Sequence, residues 1–415
     1  MKRIAGVVLS IGLLLGPFAA AAATDRQDFT EIAHGRYLAT VGDCTACHTA
    51  SGGKPFAGGR PIETPFGTVI APNLTPDRET GIGAWTDDDF VHALQRGKGH
   101  DGIRLYPAMP YTYFTKVSRG DLLAIRAFLN TLPPVRNKVV ADQLPFPFSI
   151  RASMAAWNLL FFDAGPFKPA AGKSAEWNAG AYLVEGLGHC GACHTAKNLL
   201  GGDHTSRALQ GGVLQGWFAP NLTGDPRTGL GNWSVRDVVT YLKTGHNRMA
   251  AATGPMSAVI QDSTSHLTDA DLKAIAVFLK DQPPQHSKPP EPVSAGDPVM
   301  RSGKAIYMDN CAACHTAAGT GVPHLFPALK GSSSVQSADL TNLIRVVLQG
   351  TQSVATAAAP TGPSMPALGW KLTDEQVAAV ITYIRNSWGN ASSAVSAGDV
   401  KSARQRLSQA DAAGP

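Results

Sequence analysis

Apolar positions recur at intervals of three and four in three stretches that each end at glycine: Phe90, Val91 and Leu94 before Gly97; Val238, Val239 and Leu242 before Gly245; Leu343, Ile344 and Val347 before Gly350. That period is the signature of a helix with one face on a core, and glycine suits a left-handed C-terminal cap. A second helix follows each, opened by a side-chain cap at Ser118-x-x-Asp121, Thr268-x-x-Asp271 and Thr373-x-x-Gln376. Their apolar runs are Leu122–Leu129, Leu272–Leu279 and Val377–Ile384. Upstream of each pair lies a short helix carrying Gly and Tyr: Gly35 with Tyr37, Gly180 with Tyr182, Gly303 with Tyr307. In the third the two residues are four apart; in the first two they are only two apart, which makes a glycine-centred helix crossing less secure there.

The pattern is a repeat. Ala71-Pro-Asn-Leu-Thr75, Asp77, Thr80-Gly81, Gly83 and Trp85 return as Ala219-Pro-Asn-Leu-Thr223, Asp225, Thr228-Gly229, Gly231 and Trp233, an offset of 148 (71 to 219). The third unit lacks this insert. With 415 residues, three units of roughly 100 to 130 residues are expected. The expected fold is all-α, with few strands and three domains in series. Those domains are placed at 24–140, 174–282 and 297–389, joined by an apolar, proline-rich linker (141–173) and a polar, proline-rich one (283–296), with a polar tail at 390–415.

Every cysteine falls in one motif, Cys-x-x-Cys-His: Cys44, Cys47 and His48; Cys190, Cys193 and His194; Cys311, Cys314 and His315. Two thiols three residues apart can each form a thioether to one porphyrin, and the next imidazole is then placed to ligate its iron. A zinc ribbon would pair two such knuckles in one short unit, whereas these lie 146 (44 to 190) and 121 (190 to 311) residues apart. Three covalently attached haem c groups are therefore expected, and each unit is expected to depend on its cofactor to fold.

Methionine is the natural sixth ligand, because a thioether opposite histidine raises the reduction potential. Met109 in Tyr106-Pro-Ala-Met-Pro110, Met256 after Pro255, and Met365 before Pro366 occupy equivalent loops between the two helices of each unit. The alternatives are methionines that merely fill the core, Met249 in place of Met256, and histidine ligation by His100 or His246.

Lys2 and Arg3 precede an apolar stretch from Ile4 to Phe18 and an alanine run to Ala23, which predicts a secretory signal peptide over 1–23; an uncleaved anchor is the alternative reading. The net charge of +5 falls to +3 without Lys2 and Arg3 (34 basic, 31 acidic), and six propionates bring it to about −3, so no nucleic-acid partner is implied. The linker segment Leu144–Phe162 is apolar and aromatic. It reads either as a surface for a partner or the membrane interface, or as packing between the first two domains.

These motifs, together with Thr64-Pro-Phe-Gly-Thr68, Leu105-Tyr-Pro-Ala-Met-Pro-Tyr111 and Gly212-Val-Leu-Gln-Gly-Trp-Phe218, resemble the three-haem cytochrome c subunits of bacterial membrane-bound dehydrogenases across essentially the whole mature chain. The resemblance implies axial pairs His48 with Met109, His194 with Met256 and His315 with Met365. It implies a large PQQ- or FAD-dependent dehydrogenase subunit as partner, leaves open a small third subunit, and makes ubiquinone the acceptor, at the periplasmic side of the cytoplasmic membrane with peripheral attachment. A free periplasmic shuttle to a terminal oxidase and a haem peroxidase are the rival readings.

Overall fold

The computed structural model describes residues 28–284 and 289–413, so the expected signal peptide lies outside the described residues, as do four residues of the second linker. In the first segment, α1 (Phe29–Val41) starts at Asp28, whose carboxylate accepts from the Thr30 and Glu31 amides. An antiparallel hairpin follows, β1 (Pro61–Thr64) against β2 (Gly67–Ile70). Next, α2 (Asp87–Arg96) has a Thr86/Asp89 capping box and ends at Gly97 in the left-handed region, and α3 (Arg119–Leu129) is capped by Ser118. The linker forms one exposed helix, α4 (Met154–Phe161), none of whose residues is buried.

The second segment repeats the plan with α5 (Ala175–Tyr182), the hairpin β3 (Gly212–Leu214) with β4 (Trp217–Ala219), α6 (Val235–Thr244), an added α7 (Pro255–Asp262), and α8 (Asp269–Lys280). The third has α9 (Pro298–Asn310), α10 (Thr341–Gln349), a two-residue pairing of β5 (Thr351–Gln352) with β6 (Ser364–Met365), α11 (Asp374–Arg385) and α12 (Ala397–Ala413). The described residues are thus helix-rich, with three short two-stranded ribbons.

The first and last helices of each segment cross at glycine. A Cβ on Gly35, Gly180 or Gly303 would overlap the carbonyl of Ala124, Ala274 or Ala379, so all three crossings need hydrogen at that position. This corrects the doubt raised by the shorter Gly–Tyr spacing in the first two segments: the crossing is the same, and the tyrosine is what differs. Four residues past the glycine, Tyr307 turns into its own core, is fully buried, and donates to the Thr316 carbonyl at 2.7 Å. Two residues past it, Tyr37 and Tyr182 face the neighbouring segment. The Tyr37 hydroxyl donates to Asp271 and accepts from the Thr268 amide; the Tyr182 hydroxyl donates to Asp121 and accepts from the Ser118 amide. Each tyrosine thereby completes the N-cap of the other segment's last helix.

Cores follow the same division. One buried cluster runs from Leu38 through Phe90, Leu122, Val184 and Leu187 to Leu272 and Leu279, uniting the first two segments; the third has its own, around Tyr307, Ile344, Val377 and Ile381. The linker rides across the first pair, with Asn158 accepting from Tyr111 and Trp157 donating to the Leu200 carbonyl, while Leu159 (87 % exposed) and Phe146 (81 %) face outward. The residues expected as a polar tail instead form α12. Its sparse stripe, Val400, Ala403 and Leu407, packs on the third core, and Arg404 donates to Asp374 and to the carbonyls of Gly369 and Leu372.

Candidate haem sites

Each Cys-x-x-Cys-His motif forms a helical turn (Cys44–His48, Gly191–His194, Ala312–His315) just after the first helix of its segment. The three histidines share one arrangement. His48 Nδ1 lies 2.8 Å from the Pro72 carbonyl, His194 Nδ1 2.6 Å from Pro220, and His315 Nδ1 3.1 Å from Pro327. A carbonyl can only accept, so Nδ1 carries the proton and Nε2 keeps its lone pair for a metal. Burial depresses all three imidazoles below their ordinary value, against the proline carbonyl, which keeps them neutral and basic at Nε2. This donor set fits haem iron three times over.

The prolines are functional residues that the sequence reading passed over. Their signal was there: Pro72-Asn-Leu, Pro220-Asn-Leu and Pro327-Ala-Leu follow the histidines in all three segments, even though the third lacks the longer insert. In the first two segments the asparagine locks the turn, Asn73 Oδ1 accepting from the Thr75 amide and Asn221 Oδ1 from the Thr223 amide.

Burial also raises the thiols, Cys44 and Cys190 to about 12, and Cys47 and Cys311 to about 11, with Cys193 raised as well. None of the six cysteines is in a disulfide, and among the described residues no group of three His, Cys, Asp or Glu could hold a metal ion in the manner of a zinc knuckle.

The methionine loops can be superposed by their hydrogen bonds. Leu105 N–H donates to the Gly97 carbonyl at 2.8 Å and Ala252 N–H to the Gly245 carbonyl at 2.7 Å; Met109 and Met256 each follow four residues later and pack against the shared core. Met249 precedes that bond, inside a turn closed by Asn247 Oδ1, and its sulfur takes a 3.2 Å contact from Arg248. In the third segment Met365 pairs with Thr351, beside Gly350, whose Cβ would lie 2.5 Å from the Met365 carbonyl. His100 is held by Asp89 at 3.0 Å and stacks on Trp85, which gives it a structural place at the α2 cap. His246 is buried, and its Nδ1 has no partner among the described residues.

The first two motifs meet. Tyr113 of the first segment packs within 2.8 Å of where a Cβ on Gly191 would stand, which explains glycine in Cys-Gly-Ala-Cys, and its hydroxyl donates to Asp203. His189 sits edge-on to Phe114, and Ser263 donates to the Val41 carbonyl at 3.1 Å. Cys47 and Cys193 are near enough to raise Cys47 electrostatically, after the larger effects of burial and Asp43.

Comparison with known proteins agrees with this geometry. The cytochrome c family profile matches residues 300–388. The chain is 41 % identical over 417 residues to the gluconate 2-dehydrogenase cytochrome c subunit of Pantoea cypripedii, covering 95 % of this chain and 94 % of that one. It is 38 % identical to the cytochrome c subunit of the quinone alcohol dehydrogenase of Gluconobacter oxydans (97 % and 88 % covered), and 36 % identical to the fructose dehydrogenase cytochrome subunit of Gluconobacter japonicus (90 % and 82 %). Over nearly its whole length, then, this chain belongs to the family of cytochrome c subunits of bacterial dehydrogenases.

Proposed function

We propose that the chain carries three haem c groups and passes electrons from a large PQQ- or FAD-dependent dehydrogenase subunit to ubiquinone at the periplasmic face of the cytoplasmic membrane. The observation that carries this reading is the threefold His Nδ1 to Pro carbonyl contact, which presents three equivalent Nε2 donors beside three cysteine pairs. Cys44 and Cys47, Cys190 and Cys193, and Cys311 and Cys314 would tether the haems; His48 with Met109, His194 with Met256, and His315 with Met365 would ligate their irons. Haem c, when bound, supplies a one-electron site whose potential rises with a thioether opposite histidine. The protein's part is to fix each imidazole, keep it neutral, and close water out of the methionine loops with proline and core packing. No helix among the described residues is long and apolar enough to cross a membrane; peripheral attachment would run through partners or the exposed linker aromatics.

The test is anaerobic. The protein is purified with its native partners, its haem content counted, and gluconate, ethanol, sorbitol, fructose and glucose added one at a time while haem absorption is followed. Three haems per chain and rapid reduction by one compound are expected; reduction only by a chemical reductant or a small redox protein would instead identify a free shuttle. Met256→Ala should convert one haem of three to a lower-potential or high-spin state, and Met249→Ala should leave all three unchanged.

A further inference from the structure

Two arginines converge where the second and third segments meet. Arg227 stands in the loop after the second Pro-Asn-Leu-Thr, and Arg385 ends α11. Arg227 Nη1 donates to the carbonyls of Gln336 (3.1 Å) and Ala391 (3.3 Å), and Arg385 Nη1 donates to the next carbonyl, Ser337, at 2.7 Å. Arg385 is only 2 % exposed. Each Nε–H is buried with no hydrogen-bond partner, and among the described residues neither guanidinium is ion-paired with a carboxylate. Asp225 lies two residues from Arg227, but its Oδ1 is occupied by the amides of Arg227 and Thr228 and by the Thr228 hydroxyl.

A guanidinium presents five donors and stays charged in proteins. Burying the Arg385 guanidinium beside the partly exposed Arg227 without an anion is costly, because desolvation and mutual repulsion act together. Arg385 registers both, pushed down to about 10 by burial and then by Arg227. Neutral carbonyls satisfy one nitrogen of each and leave the charge uncompensated.

We infer that Arg227 and Arg385 form an oxyanion seat between the second and third segments, whose unpartnered Nε–H donors would bind a carboxylate or phosphate group. The oxyanion is either a propionate of an attached haem, in which case the inference rests on the haem reading above, or a free anion. Counting haems in the same preparation separates failure of that reading from failure of the seat.

The experiment uses the full haem-loaded chain and its Arg385→Gln, Arg385→Lys and Arg227→Gln variants. Inorganic phosphate is titrated by calorimetry at fixed ionic strength, and each haem midpoint potential is measured. Stoichiometric phosphate binding that weakens at least tenfold in both Gln variants identifies a free anion. Absence of phosphate binding, with one midpoint potential lowered in Arg385→Gln and restored in Arg385→Lys, identifies a propionate, since a nearby cation favours the more negative reduced form. Arg227→Gln, at a partly exposed site, should reproduce the effect should Arg385→Gln fail to fold. No phosphate binding and unchanged potentials in folded variants would overturn the seat.

Discussion

The two seams of this molecule are built differently. Between the first and second segments the contact is reciprocal: Tyr37 caps α8, Tyr182 caps α3, and a single apolar core runs through both. Between the second and third it is mainly polar and made by loops and a hairpin, with Arg227 of the second donating to the Gln336 and Ala391 carbonyls of the third. The β3–β4 hairpin lies on α10, where Asn342 exchanges hydrogen bonds with the Phe218 backbone (3.0 and 2.7 Å) and Arg345 covers the Trp217 ring at 4.3 Å. The apolar part of this seam is small: Ala252, Ile260 and Val354 are buried, with Tyr241 and Met256 packed against them. In the first segment the same hairpin pairs with its own linker, Thr68 and Gln143 bonding through their backbones, and sets Phe66 against Gly201 of the second segment. A duplicated pair can share a core because each copy presents the same face; a third, divergent copy is held by a hairpin, polar loop contacts and a small apolar cluster. The first seam also touches two attachment turns, so the rigid contact lies where the spacing of two haems would be set.

The largest break should come at the middle crossing. Gly180→Ala would drive a methyl into the Ala274 carbonyl, at a cost of roughly 3 kcal/mol. Because the core is shared, hydrogen exchange should accelerate in α1 and α3 together with α5 and α8, while α9 and α11 keep their protection. Protection retained in the first segment would show that the two halves of the pair fold independently.

Asp43 offers a sharper probe. It lies beside the first motif, its Oδ1 has no partner among the described residues, and burial, aided by the Asp262 carboxylate across the seam, raises it from 3.8 to about 8. A carboxyl raised in the folded state contributes its full stability below the unfolded value and loses it as pH climbs through the folded one. Stability of the pair should therefore fall between pH 4 and pH 8. Asp43→Asn should flatten that slope and gain about 2 kcal/mol at neutral pH, with no gain below pH 4, measured by calorimetry across the range.

Much of this was legible in the sequence, and the remainder was hidden for physical reasons. Caps at Ser118, Thr268 and Thr373 and the left-handed Gly97 and Gly245 are local, so short-range pattern sufficed for them; Gly350 also ends its helix, but with positive φ and extended ψ, because its turn passes straight into the pairing with Met365. The equivalence of Met109 and Met256 rested on repeat alignment and is matched by the Leu105–Gly97 and Ala252–Gly245 bonds. The recurrence of proline at 72, 220 and 327 was legible but its role was not, because the acting group is a carbonyl and every residue has one. The two-residue Gly–Tyr spacing was legible as an anomaly but not as a contact, since its partner helix lies 234 residues away for Tyr37. α12 was missed because Val400, Ala403 and Leu407 make too thin a stripe to stand out among Ser, Asp and Lys.

Reciprocity itself predicts equality. Tyr37→Phe and Tyr182→Phe each remove one hydroxyl that donates to a cap carboxylate and accepts from a cap amide, so each should cost about 1.5 kcal/mol and both should loosen the same cooperative unit. Unequal losses would mean that the pseudo-symmetry is geometric only.

The smallest effect should lie at the second seam. Asn342→Ala leaves the Phe218 amide and carbonyl at a hairpin edge that water can reach, so the loss should be about 1 kcal/mol or less, and local. Exchange should quicken in β4 and α10 with the melting of the first pair unchanged. If this variant instead lowered the stability of α1 and α3, the third segment would be coupled to the pair as strongly as the two halves of the pair are to each other. The difference between the seams would then be one of appearance: the Asn342 bond would transmit through the hairpin to Gly212, where an added Cβ would stand 2.9 Å from the Cys193 and Thr195 carbonyls, and so into the shared core.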